Sequence, residues 1–532
     1  MHIVSIKKIN IENIKYNKTN ITYKKFRGFV LKKYFTCIYN GKKTIFTWKA
    51  DLKKEIIKIK KYQVILLSHT DFDQLLLNLY QDFIKYFSQN TRKHTKTVKR
   101  INFKMVRIII FVVFLIIFFV LLGVPYINTV IEISIILYYM ICLSLKSIFL
   151  IYSAIKRDDF ENFDKYKNMN FKKLPKYTIL VPMFKENKKT IEQLIKAITN
   201  IEYPKNLLDV KLVLEEDDVE TREIIRTIIL PEYMTLIFVP YFEPRTKPKA
   251  LNVASLFALG EYLVVYDAED IPEKQQLLKS VYEFNLNKEV QILQCCLHFY
   301  NYRKNFLTQC FNIEYSVWFK NVLKTLSDFN ITLPLGGTSN HIRFAYLEKV
   351  NFWDSYNVTE DLELSVIANK NNVKICHLNS DTREWCVVNF SGFIKQRTRW
   401  LKGYLLTYFT HFNDFLDVKH INNVFFFHLV VGFNALCFLC MPFVFFSIYC
   451  QYYEYKYQIY YCSIGNVVYY VSYIFIYTSL IKNIDILLTT KTIMAFFLYP
   501  FYFILHIFAS WKALFEILYK PFYWSKTSHL TN

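Results

Sequence analysis

Residues 261–270 read EYLVVYDAED: a short apolar, β-prone run that ends abruptly in three acids, Asp267, Glu269 and Asp270. A continuous apolar run of this length, bounded by polar residues, reads as a strand buried on both faces. Its neighbours repeat the pattern. YTILVP (177–182), VKLVLEEDD (210–218), MTLIFVP (234–240) and VQILQC (290–295) are further strand-like runs. Helical spacing lies between them: Ile191, Leu194, Ile195 and Ile198 follow the first, and PKALNVASLFAL (248–259) opens with Pro248 suited to a first helical turn. Alternation of this kind predicts an α/β, Rossmann-like parallel sheet with helices on both faces. Ligands of such sheets bind at the carboxyl ends of the strands. Two of those ends carry acids, Glu215 to Asp218 and Asp267 to Asp270. No G-x-G-x-x-G follows the first strand and no P-loop is present, so dinucleotide and P-loop phosphate binding lose support.

Working outward, this polar region, residues 161–417, lies between strongly apolar ones. The chain has 532 residues, 53% of them hydrophobic and 18% aromatic. Residues 105–124 are apolar apart from Arg107, which is about the length that spans a bilayer core. A second run, 130–152, is broken by Glu132 and Lys146, and three more follow at 424–450, 467–481 and 493–510. The first begins too far into the chain for a cleavable signal peptide. These runs predict two transmembrane helices over 105–152 and about three over 424–518, leaving 519–532 as a tail. Residues 1–104 are basic, with short apolar runs such as YQVILLSH (62–69), and predict a small α/β region.

The net charge of +23 raises the question of nucleic acid, but its distribution answers otherwise. Lys85, Arg92, Lys93, Lys96, Lys99, Arg100, Lys104 and Arg107 precede the first apolar run with no acid among them, and Lys156, Arg157, Lys165, Lys167, Lys172 and Lys173 follow the second. This is the positive-inside pattern, which places the N-terminal region and residues 161–417 in the cytoplasm, with the lipid bilayer as a partner. No nucleic-acid module is recognisable, and no nucleic-acid partner is expected. The eleven cysteines show no disulfide framework, in keeping with a reducing compartment. The topology does not close neatly: three late spans put the tail outside, whereas Lys512, Lys520 and Lys526 favour the cytoplasm. Either one late segment is interfacial or a span is merged or missed, and residues 401–416, aromatic and weakly amphipathic, are a candidate for the interface plane.

Alternate acids at a strand end suit Mg²⁺ or Mn²⁺, which neutralise a diphosphate; the competing explanation is a solvated turn. Thr359, Glu360 and Asp361 precede LELSVIANK, a helix-like run that Thr359 would cap and whose dipole favours Asp361. A carboxylate there, within reach of a substrate hydroxyl, is also a general base. Further on, IKQRTRWLKG (394–403) is by itself most simply a basic patch under a membrane.

Taken in order, VPMFKE, RTKPKALN, YDAED, LGGTSNH, TEDLEL, Q-x-x-R-W at 396–400 and the tail PFYWSKTSH resemble the processive family 2 glycosyltransferases, the group of cellulose, chitin and hyaluronan synthases, from about residue 177 to the C-terminus. The resemblance implies a GT-A domain inserted between transmembrane helices, transferring a sugar with inversion from a nucleotide diphosphate to a growing β-linked glycan, in a bacterial inner membrane. UDP-glucose or UDP-N-acetylglucosamine is the donor it suggests. It implies a nucleotide pocket formed by Glu186, Asp217 or Asp218, Lys247 and Asn252. Asp267 would hold the cation together with Glu269 or Asp270. The choice between these two stays open, because the commoner motif has aspartate where Glu269 stands. Asp361 would be the base, with Glu360 beside it. Gly337, Thr338, Ser339, Asn340 and His341 would lie in a loop near the acceptor. Gln396 and Arg399 would bind acceptor or diphosphate, and Trp400 would stack on the acceptor's terminal sugar. Arg397 and Lys402 are left for lipid contact. Two other classes are weighed: a non-catalytic transporter or structural membrane protein, which leaves the ordered acids without a role, and a transferase to polyprenyl phosphate, which has no need of Q-x-x-R-W.

Overall fold

The computed structural model describes chiefly residues 9–15, 21–49, 62–92, 174–416, 421–442 and 499–523, with scattered positions besides. Most of the expected spans at 105–124 and 130–152, all of that at 467–481, and the tail from 524 lie outside the described residues. The chain divides into two compact units: Met1–Lys93, Asn170–Val281 and Asn340–Ser355 form one, and His94–Met169, Tyr282–Ser339 and Tyr356–Asn532 the other.

The first unit contains two sheet regions. Near the N-terminus, β1 (Ile14–Lys15), β2 (Tyr34–Tyr39), β3 (Lys42–Thr47) and β4 (Gln63–Leu66) pair in sequence order, antiparallel except for the parallel β3–β4 pair. Helices Tyr23–Lys32, His69–Leu79 and Gln81–Gln89 accompany them. Thr22 and Ser68 start the first two by accepting the N–H of Lys25 and Asp71. The second region runs β5 (Tyr177–Met183), helix Lys188–Thr199, β6 (Leu208–Glu215), helix Val219–Arg226, β7 (Met234–Val239), helix Lys247–Ser255 and β8 (Tyr262–Val265). These strands lie in the order β7-β6-β5-β8 and are all parallel. Every residue of β6 is buried, as expected of a strand covered on both faces. The fully parallel sheet expected from strand–helix alternation is corrected beside β8. Strand Asn340–Arg343 pairs antiparallel with β8, with Asn340 opposite Val265 and Arg343 opposite Tyr262.

One buried charge cluster joins the two regions of this unit. Lys211 on β6 is wholly buried, with Asp209 and Asp73 each 3.2 Å from its ammonium. Asp73 comes from helix His69–Leu79. Burial pushes its carboxyl up to about 6 despite the pull of Lys211.

In the second unit, strands Val290–Phe299 and Lys374–Glu384 pair in parallel. Helix Phe306–Ser316 continues through a π-helical turn into Leu323–Asp328, and helices Glu360–Lys370, Phe390–His411 and Tyr499–Tyr519 follow. Two helices among the described residues, Asn422–Pro442 and Phe501–Tyr519, are long and apolar enough to cross a membrane, with mean hydropathies of 2.2 and 1.4. Both pack on Phe390–His411: Leu401, Leu405 and Leu406 join Ala435, Leu439, Ala509, Ala513 and Ile517 in one core. One side of residues 401–411 is therefore packed against these two helices. The lipid contact expected of Arg397 and Lys402 is corrected, because both are buried in ion pairs. Arg397 pairs through both terminal nitrogens with Glu314, at 2.8 and 2.5 Å, and Lys402 lies 3.0 Å from Glu516.

Replacing Lys211 with Met leaves two buried carboxylates without a counter-ion, so Lys211→Met should cost about 3–5 kcal/mol of stability. Denaturant unfolding checks this, and a loss under 1 kcal/mol would show that the cluster is not a structural tie.

Candidate active site

Five consecutive residues, Arg245-Thr246-Lys247-Pro248-Lys249, organise the acids of the first unit. Alternate members of this segment are cations, and each meets a different acid at one of the two acidic strand ends. The Arg245 guanidinium lies 2.9 Å from Asp217 and covers the Phe184 ring at 4.8 Å. Lys247 is ion-paired with Asp267. Lys249 reaches Glu215 at 2.7 Å, and both are buried. Burial raises the Glu215 carboxyl and lowers the Lys249 ammonium, each against the attraction of its partner. The backbone explains the spread. Thr246 is extended, at φ −137° and ψ 155°, and its hydroxyl caps helix Lys247–Ser255 by accepting the Lys249 N–H. Lys249 thus sits in a first helical turn, whereas Arg245 precedes the helix.

The expected donor-side residues separate by exposure. Asp217 is 36% exposed, while Asp218 is 4% exposed and used locally. It caps helix Val219–Arg226 at the Thr221 N–H and also accepts the Lys185 N–H. Asp270 is fully buried, and its carboxylate accepts the Asp267 N–H at 2.7 Å, closing the turn after β8. Asp267 and Glu269 remain partly exposed. Glu186 is largely buried, its N–H donated to the Thr221 hydroxyl at 2.9 Å. Asn252 is buried and spent on backbone: it accepts from Trp353 N–H and donates to Trp353 C=O and the Ser355 hydroxyl, at 2.9–3.1 Å. Among the described residues no three His, Cys, Asp or Glu side chains converge as a metal cage. Mg²⁺ and Mn²⁺ sites that complete themselves with substrate phosphates need only one or two carboxylates, and Asp267 with Glu269 fits that donor set.

In the second unit, the T-E-D segment and the Q-x-x-R-W helix interlock. A methyl group at Gly403 would come within 2.2 Å of the Thr359 hydroxyl, so only glycine admits the approach. Asn357 ties the same junction, donating to the Thr407 hydroxyl at 2.9 Å and accepting the Thr359 N–H at 3.0 Å. Thr359 occupies the N-cap position of helix Glu360–Lys370 without the expected side-chain cap, because its hydroxyl turns to Asn357. Further along, buried His411 lies 3.6 Å from Glu363 and 3.3 Å from Asp414. Burial would lower the His411 pKa, but these two carboxylates outweigh it and raise it. Glu360 is buried, Asp361 is partly exposed in the first turn, and burial together with the Asp361 charge pushes the Tyr404 phenol up.

Gln396, Arg399 and Trp400 are partly exposed on helix Phe390–His411. The Trp400 ring has the Arg397 guanidinium 4.7 Å away and Phe311 edge-on at 6.0 Å. The glycine-bearing loop before residue 340 is held at both ends by Gln294, which accepts Gly336 N–H and donates to Thr338 C=O, leaving Gly337 exposed between them. Ser339 adopts φ 55°, a left-handed conformation costly for a non-glycine residue, and donates to Thr382 at 2.7 Å. In the first unit, Asn340 and His341 begin the antiparallel strand. The His341 ring is fully buried between the Tyr177 hydroxyl, at 2.7 Å, and Gln276, at 3.2 Å. Burial lowers its pKa to about 3 and keeps it neutral, a packing role in place of the expected acceptor contact.

Residues 175–403 match the family model described as Glycosyltransferase like family 2. The chain carries a family 2 glycosyltransferase domain. The Bacillus subtilis (strain 168) protein named "Probable glycosyltransferase YdaM" is 28% identical over 248 residues, which are 46% of this chain. The match spans 58% of that relative's length. Among solved structures, a mannosyltransferase from Pyrobaculum calidifontis in complex with GDP-Man and Mn²⁺ aligns over 74% of this chain and 99% of its own, at 16% identity and a TM-score of 0.49. S. aureus TarS aligns over 47% of this chain and 41% of its own, at 16% identity and a TM-score of 0.31. The glycosyltransferase domain thus includes both acidic strand ends, the T-E-D helix and the first part of the Q-x-x-R-W helix, to Gly403.

Some residues that shape this domain escaped sequence reading. Asn357 and His411 carry no motif, Glu363 stood in TEDLEL with no role given to it, and Gly403 showed only as the end of a basic stretch. A methyl at that junction should displace the T-E-D segment, so Gly403→Ala should lower stability by about 1–3 kcal/mol through overpacking. Thermal unfolding tests it, and an unchanged Tm would refute the interlock. For His411 the raised folded pKa sets the sign. Its contribution is complete below the unfolded value near 6.5 and is lost as pH rises through the higher folded value. The Tm should therefore fall as the pH rises above about 6.5, and His411→Gln should flatten that slope.

Proposed function

We propose that the protein is an inverting, processive glycosyltransferase that moves a sugar from a nucleotide diphosphate onto a growing β-linked polysaccharide. The observation that carries this reading is the interlock of the T-E-D helix with the Q-x-x-R-W helix around Gly403. It couples a base candidate to an acceptor-platform candidate within one family 2 domain. A UDP-sugar, UDP-glucose or UDP-N-acetylglucosamine, is the proposed donor. The chain is proposed to be a multi-pass protein of the inner membrane, with the domain in the cytoplasm and the late apolar helices as the route of export.

In this mechanism Asp217 and Glu186 contact the nucleoside, and Arg245 and Lys247 face the diphosphate. Asp267 and Glu269 are the residues that would hold Mg²⁺ or Mn²⁺, which when bound neutralises charge on the leaving diphosphate. Asp361 accepts the proton of the acceptor hydroxyl as its oxygen bonds to the anomeric carbon and the bond to the diphosphate breaks. One displacement inverts the centre, and no covalent enzyme intermediate is needed. Trp400 offers its ring for stacking on the acceptor's terminal sugar, with Gln396 and Arg399 as its polar neighbours.

Membrane vesicles given labelled UDP-sugars and GDP-mannose with Mn²⁺ provide the test. The unsubstituted protein should build long polymer, and Asp361→Asn should reduce its rate by at least about 100-fold. Equal labelling by both proteins would refute the assignment of the base, and short lipid-linked products alone would favour a polyprenyl-phosphate acceptor. Chelation should abolish labelling and Mn²⁺ should restore it; labelling that survives EDTA would remove the cation from the scheme.

A further inference from the structure

We infer that the N-terminal region is a positioning element for the donor site, acting through residues 352–355 on the cationic segment 245–249. The inference rests on the donor-side reading above, and goes beyond it by giving residues 88–92 a part in the reaction.

The geometry forms a chain of contacts, all within the first unit. Asn351 and Phe352 stand at φ 58° and 61°, and a bulky aromatic residue in the left-handed region is held there only by its surroundings. The holding group is Arg92, which is 2% exposed and donates through Nε and Nη2 to the Phe352 carbonyl at 2.8 and 2.5 Å. Thr91 donates to the next carbonyl, that of Trp353, at 2.8 Å. The Ser355 hydroxyl donates to the Ser88 carbonyl, so three N-terminal residues fix one four-residue segment.

The far side of that segment carries the donor residues. Asn252 bonds both polar backbone groups of Trp353 and the Ser355 hydroxyl. Thr246 donates to the Ser355 carbonyl at 2.6 Å while capping the helix that begins at Lys247. Separately, Gln89 at the end of helix Gln81–Gln89 donates to the carbonyl of Glu243, two residues before Arg245. Residues 88–92 thus fix residues 243–252 twice, once directly and once through 352–355. Arg245 and Lys247 are the partly exposed cations on that fixed segment. A rigid mount is what a diphosphate site needs, since its ligand is recognised by directed charges and not by apolar area.

The alternative is that these contacts only stabilise the fold. The test therefore separates binding from stability. Full-length protein in detergent is titrated with UDP and with GDP, each with Mn²⁺, by calorimetry. Gln89→Ala and Thr91→Val each remove one side-chain donor and leave the core intact. Each should weaken nucleoside diphosphate binding about 3- to 10-fold, the range of one hydrogen bond, and raise donor KM alike with kcat nearly unchanged. Arg92→Lys, which keeps the charge but not the two-nitrogen grip, should behave similarly, and hydrogen exchange over residues 243–255 should quicken in all three. Asp73→Asn, which loosens the same region at the Lys211 cluster, serves as control: it should lower Tm while leaving diphosphate binding unchanged. If the three variants lower Tm but bind as tightly as the unsubstituted protein, or if Asp73→Asn weakens binding equally, the positioning role is refuted and a structural one stands. If the unsubstituted protein binds neither diphosphate, the donor reading fails and the inference falls with it.

Discussion

Carboxylates gathered at the ends of buried parallel strands repel one another unless cations meet them, and this constraint organises the first unit. Glu215, Asp217 and Asp267 are each answered by one member of a single five-residue stretch, Lys249, Arg245 and Lys247. The three pairs are not equivalent. Glu215 and Lys249 are buried and act as an internal brace, whereas Asp217 and Asp267 are about one-third exposed. An exposed ion pair contributes little to stability, so these two can exchange partners with a charged ligand at small cost.

The same division between braced and exposed groups runs through the rest of the site. Asp218 and Asp270 are neighbours in sequence of exposed acids, yet each is used to hold its own turn by accepting backbone N–H groups. Asn252 and His341 serve packing in the same way. In the second unit, Glu314 with Arg397 and Glu363 with His411 brace helix Phe390–His411, while Asp361, Gln396, Arg399 and Trp400 keep access to solvent. A partly exposed polar group is positioned by a buried polar neighbour, which is how precise placement is obtained from otherwise mobile side chains.

The amino-acid sequence by itself determined the parallel strands, their helices and the acids at their ends, because apolar runs and helical spacing are local signals that burial enforces. It also supplied ordered motifs that resemble those of family 2 glycosyltransferases, the family whose model matches residues 175–403. It did not separate Asp217 from Asp218 or Glu269 from Asp270, since adjacent acids differ only in which backbone N–H the turn presents to them. Nor did it show that Arg397 and Lys402 are buried, because their partners Glu314 and Glu516 lie far away in the chain. The tertiary structure alone decided the fit of Gly403 against Thr359, the antiparallel strand beside β8, and the grip of Arg92 on Phe352. Each depends on segments distant in sequence meeting at a fixed separation, and no local pattern of residues encodes such a meeting.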